Sequence, residues 1–284
     1  MRCYPSVFFL LVLSTSFVFA RQQATDDSPE LVLGIEAYKG AKYSEATQHF
    51  ERAVASEPTN VKAHLYLANS YAEQFIPGSG DPNNMQLGNV AVEQYKKVLE
   101  LDSENLEAVK GLAQLYFNMK ELEQATEVNR RAIEIDPKDP EPYYFIAVID
   151  WTRTYQPRMK QRAKLKLRIE QPMIFAQECW TVRQANWELV VEGFDMLRKA
   201  IELRPHYDDA MAYMNLMYRE RADIDCGDPK ARAYDLTMAD KWVDMTLAIK
   251  KQKAEKAELE EKKKVQSDRQ DESAVELTTA PNPQ

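Results

Sequence analysis

Glycine is scarce in this chain, with 8 in 284 residues, and none stands in a Gly-rich turn between a strand pattern and a helix pattern. The dinucleotide fingerprint and the strand-turn-helix nucleophile elbow are therefore absent. Pro77-Gly78-Ser79-Gly80 has neither the preceding strand nor the following Lys-Ser or Lys-Thr of a phosphate loop. Histidine is scarcer still. His49, His64 and His206 each stand alone, without a second ligand at i+4 or a cysteine at zinc spacing. Carboxylates are plentiful, but no pair is set apart from a solvated face. These absences give no catalytic residue, no metal and no cofactor to assign, and the chain reads as a non-enzyme. A formal charge of −8 argues against a general nucleic-acid surface.

What is present is helical. In the stretch 106–139, Leu112, Ala113 and Tyr116 recur at helical spacing, as do Ala125, Val128 and Ala132, giving two amphipathic helices. The polar run Asn118–Glu121 separates them, and Pro137 ends the second, because proline cannot continue the hydrogen-bond ladder. The unit recurs. Leu33, Gly34, Ala46, Phe50, Ala53 and Pro58 hold the same relative positions upstream, and Leu67, Ala68, Tyr71, Ala91, Tyr95 and Val98 follow around an insertion. Downstream come Ile146, Ala147, Gly193, Leu197, Ala200 and Pro205, then Met211, Met214, Asn215 and Tyr218.

This pattern resembles the tetratricopeptide repeat family over about residues 27–250. The resemblance implies an all-α, right-handed superhelical solenoid of about five helical hairpins. Its expected divisions are repeats at 27–60, 61–105, 106–139, 140–207 and a degenerate 208–250. A charged capping helix at 251–265 and a polar, disordered tail at 266–284 would complete it. Insertions fall between the two helices of the second, fourth and fifth repeats, and should cluster along one edge. The first helices of such repeats line a concave groove. Here that groove would present Leu31, Ile35, Tyr38, Leu65, Tyr66, Asn69, Lys110, Gln114, Phe117, Tyr144, Val148, Trp151, Tyr213 and Leu216. Members that grip a terminal carboxylate use Lys, Asn and Arg at such positions; Leu31 and Ile35 occupy two of them, which rejects that clamp.

The chain opens with Arg2, an apolar run from Val7 to Phe19, and small residues before a polar Arg21-Gln22-Gln23. This reads as a signal peptide cut after Ala20, with no transmembrane segment left after cleavage; an uncleaved anchor is the competing reading. Export to the periplasm or medium leaves Cys179 and Cys226 where disulfides persist. Two readings are open for them, a bridge worth roughly 3–4 kcal/mol or two separate buried thiols.

The fourth repeat runs into Arg153, Arg158, Lys160, Arg162, Lys164, Lys166 and Arg168, with no acid until Glu170. That patch is either a site for an anionic polymer or lipid headgroup, or a loop neutralised by the chain's own carboxylates. Trp180 and Trp187, seven apart, share a helix face and read as packing against the array. At 223–229 the spacing fails the calcium loop, which needs Gly sixth and Glu twelfth; Asp228 reads instead as a helix cap before Pro229. The next helix is expected to bury Leu236, Ala239, Trp242, Val243 and Leu247. The functional expectation is an exported scaffold that binds a protein or peptide segment in the groove. A second expectation is an envelope assembly factor acting through the basic insertion. The sequence leaves the oligomeric state open.

Overall fold

A computed structural model describes residues 27–168, 171–173 and 176–279; the expected signal peptide, 1–20, and residues 280–284 lie outside the described residues. Those residues form ten helices and no strand. They are α1 (Pro29–Lys39), α2 (Tyr43–Ser56), α3 (Val61–Gln74), α4 (Pro82–Leu101) and α5 (Leu106–Asn118). The remainder are α6 (Leu122–Ile135), α7 (Pro140–Lys164), α8 (Ala176–Leu203), α9 (Asp208–Asp223) and α10 (Pro229–Thr279).

Each helix packs on its neighbours in sequence, so the helices form consecutive hairpins in an all-α superhelical repeat fold. In addition α1 touches α3, α3 touches α5 and α7 touches α9, which sets α1, α3 and α5 side by side and α7 beside α9; Lys110 of α5 reaches Asp139 and Glu141 at the start of α7. The helix starts follow local chemistry. Asn60 and Asn105 accept the backbone N–H groups of Ala63 and Ala108 at 3.0 Å, closing orphan donors at the starts of α3 and α5. Asp81 and Asp139 do the same one residue before Pro82 and Pro140, where proline's missing N–H costs nothing. Asp228 accepts from Lys230 and Ala231 at the head of α10.

Several sequence expectations need correction. The insertion after α3, whose dense Gly and Pro point to a loop over 74–84, is a loop only from Phe75 to Asp81; Pro82, Asn83 and Asn84 already belong to α4. Arg153, Arg158, Lys160, Arg162 and Lys164 are helical, because α7 runs 25 residues and carries Pro157 inside it. Trp180 and Trp187 are exposed on α8, and the Arg183 guanidinium covers both rings, 5.6 and 3.9 Å from their centroids. Leu247 is exposed. Helix α10 continues through 266–279, the stretch assigned to disorder.

Candidate peptide groove

Packing decides which predicted groove residues face outward. Leu31 is fully buried, and Leu65 and Val148 are buried too. These three belong to the core, not to a ligand surface, because the interior edge of each first helix turns toward its own hairpin. Ile35, Tyr38 and Tyr66 are half-buried against the first core. There Tyr38 meets Tyr43 and Tyr66 edge-on, at 5.4 and 5.8 Å between centroids. Phe117 is half-buried against the middle core. Tyr144, Trp151 and Tyr213 form a second aromatic group, with Tyr213 5.5 Å from Tyr144 and 5.8 Å from Trp151. Leu216 is half-buried on α9.

Between the two aromatic groups lie two adjoining clefts. One, of about 400 Å³, is lined by Tyr38, Glu73, Phe75, Tyr95, Leu115 and Asn118 among others. The second, of about 320 Å³, is lined by Glu107, Lys110, Glu141, Pro142 and Phe145 among others. Asn69, Gly111 and Gln114 line both.

A glycine makes the first cleft possible. A Cβ at Gly111 would sit 2.6 Å from the Tyr95 ring and hydroxyl, so the absent side chain is what lets the Tyr95 ring lie against α5. Tyr95 then reaches through to donate its hydroxyl to Asn69 Oδ1 at 2.7 Å, fixing the amide at the cleft floor. Burial, reinforced by the Glu73 charge, pushes the Tyr38 hydroxyl up to about 12, and burial likewise raises Tyr95. Both phenols stay neutral donors. Burial works against the Lys110 ammonium, but Asp139 at 2.5 Å and Glu141 at 2.8 Å outweigh it and raise its pKa.

Of the residues expected in the groove, Tyr38, Asn69, Lys110 and Gln114 line these clefts; Tyr95, Gly111, Glu73 and Glu107 line them too and were not in the expected set. Tyr95 lies on a second helix, outside the set inspected. The available signal was Gly111 itself, since a glycine inside a strong helical pattern marks a close approach.

The basic stretch is divided. Arg158 donates to Glu220 at 2.7 Å and to Asp223 at 2.6 Å, and buried Arg162 holds Asp223 at 3.0 Å and the Gln171 carbonyl at 3.0 Å. Burial raises the Glu220 carboxyl while Arg158 opposes it. Arg153 pairs with Glu123 at 3.3 Å. Lys160, Lys164, Lys166 and Arg168 are exposed. As a seven-residue surface patch, the stretch therefore needs correction: Arg158 and Arg162 are internal struts tying α7 to α9. Beside them Cys179 and Cys226 form a disulfide, with 5.6 Å between Cα atoms.

Residues 31–75 and 89–149 each match a family model described as tetratricopeptide repeat, and the chain is a tetratricopeptide-repeat protein. Its fold is similar to the crystal structure of MamA, with a TM-score of 0.53 at 18% identity over 78% of this chain and 97% of that one. It is also similar to YrrB, "a TPR protein with an unusual peptide-binding site", with a TM-score of 0.51 at 14% identity over 80% of this chain and 92% of that one. A stretch of 108 residues, 38% of this chain, is 28% identical to Hsp70-Hsp90 organizing protein 1 of Glycine max, spanning 17% of that protein.

Proposed function

We propose that this protein is a non-enzymatic, exported scaffold that holds an extended protein or peptide segment along the wall of its first helices, in cell-envelope assembly or a periplasmic complex. The observation that carries this reading is the pair of adjoining clefts sharing Asn69, Gly111 and Gln114. Concave, partly apolar sites with a few convergent polar groups are where segments dock. The peptide-binding site named for YrrB supports the same use of the fold. Export is supported by the apolar run 7–19 and by the Cys179–Cys226 bridge, a chemistry of oxidising compartments. A site for an anionic polymer on α7 draws no such support, since Arg158 and Arg162 are already engaged.

The test is crosslinking and mass spectrometry of partners captured from native envelopes, with Gln114→Trp as the comparison. Gln114 is exposed and borders both clefts, so the indole fills them without touching the core. Crosslinks on α3 and α5 that vanish in the variant are expected. Partners retained in full by a folded variant would overturn the groove reading. N-terminal sequencing of the exported form checks the leader, with Arg21 expected first.

A further inference from the structure

The double cleft carries negative charge that the protein leaves uncompensated. Glu73, in the last turn of α3, and Glu107, in the first turn of α5, are exposed. No Lys or Arg forms an ion pair with either among the described residues; Glu107 only accepts the Asn69 amide at 3.5 Å. Glu73 lines the first cleft and Glu107 the second, and Asn69, whose amide Glu107 accepts, lines both. Among the described residues lining the two clefts, Lys110 is the one cation. Its ammonium is already held between Asp139 and Glu141 and is not on offer to a ligand. An acidic segment entering here would meet two bare carboxylates and no free cation. A basic one would meet two carboxylates and the Tyr38 ring, whose π face attracts cations.

We infer that the occupant of the double cleft is a basic peptide segment, with a Lys or Arg side chain seated between Glu73 and Glu107 against Tyr38. This rests on the groove reading above and goes further, since it fixes the sign of the ligand's charge.

Random linear peptides displayed on phage, selected on the full protein at low salt, test it. Each selected peptide is then measured against wild type, Gln114→Trp, the pair Glu73→Gln/Glu107→Gln, and a charge-matched control, Glu258→Gln/Glu260→Gln on exposed α10. Circular dichroism verifies that every variant folds. Selected peptides should be enriched in Lys and Arg and lose binding in Gln114→Trp, which keeps the net charge. They should bind the Glu73/Glu107 pair variant roughly three- to tenfold more weakly and with a flatter salt dependence, while binding the α10 control like wild type. Peptides displaced by Gln114→Trp but without basic enrichment, and indifferent to the Glu73/Glu107 change, would overturn the inference and leave the groove reading standing. Equal weakening by the α10 control would overturn it as well, by showing general attraction to an acidic protein. Peptides indifferent to Gln114→Trp would overturn the groove reading itself.

Discussion

Asp150 sits fully buried on α7, and neither carboxyl oxygen has a hydrogen-bond partner among the described residues. Burial, with the Glu192 charge adding to it and Arg153 and Arg130 opposing, pushes its pKa up to about 8. Asp225 moves the same way, to about 6, through burial and the nearby Asp235 carboxyl. The sign follows from proton counting. Between the ordinary carboxylate value and these raised ones the folded chain binds more protons than the unfolded chain, so stability is lost as pH rises. Glu30 and Asp208, lowered by hydrogen bonds from His49 and Lys253, act oppositely and only at pH below their ordinary range. Between about pH 5 and pH 8 the melting temperature of wild type should fall, and Asp150→Asn should fall less and be the more stable at the alkaline end. Parallel curves in thermal denaturation would refute the role given to Asp150. The same contrast of face and depth limited what the sequence could say of the groove. Helical spacing placed Leu31, Leu65 and Val148 on the right helices, but it gives a direction around the axis and not the depth of the neighbouring helix. All three proved to be core.

At the scale of elements, α7 is held in shape from outside. Pro157 has no N–H for the carbonyl of Arg153, and its ring crowds that turn. The Thr154 carbonyl in the same turn is met by the buried Asn186 amide of α8 at 2.9 Å, which also reaches Glu220 of α9 at 3.3 Å. One side chain therefore joins three helices where the ladder is broken. Asn186→Ala would leave a buried carbonyl and a buried carboxylate short of a donor, costing about 1–3 kcal/mol. A urea unfolding midpoint unchanged from wild type would refute this. Where structure is local, the sequence was legible. The hairpin α5–α6, its polar separator and its stop at Pro137 follow from period and proline chemistry alone. Where structure depends on distant partners, it was not. Nothing near Arg158 and Arg162 in sequence announces Glu220 and Asp223, which lie 61–65 residues further on. The polar stretch 266–279 read as disordered because it offers no apolar stripe, yet α10 carries it forward as a continuous helix.

The molecule as a whole is three cores in series. The first joins α1, α2 and α3 around Phe50, and the second runs from Leu65 on α3 to Ile149 on α7. The third gathers α7, α8 and α9 around Leu197 and Met217. Tyr71 touches the first two, and α7 supplies buried residues to the last two. In such an array each unit contacts its neighbours, so a local loss of stability spreads by one interface at a time. The Cys179–Cys226 disulfide closes a loop across 47 residues and lies wholly within the third core. Loop-closure entropy puts its worth at about 4 kcal/mol, and Arg158 and Arg162 brace the same corner by ion pairs. Cys226→Ser should therefore act on one end of the protein. Amide hydrogen exchange is expected to quicken in α8, α9 and the first turns of α10, while protection in α1 and α2, two cores away, stays at its wild-type level. The double cleft, centred on α3 and α5 and touched by α7 only through its first turns at Glu141, Pro142 and Phe145, should keep its ligand affinity in that variant even as the far end loosens. Uniform loss of protection along the whole chain would show instead that the cores fold as one cooperative unit, and would contradict the series arrangement on which the independence of the groove depends.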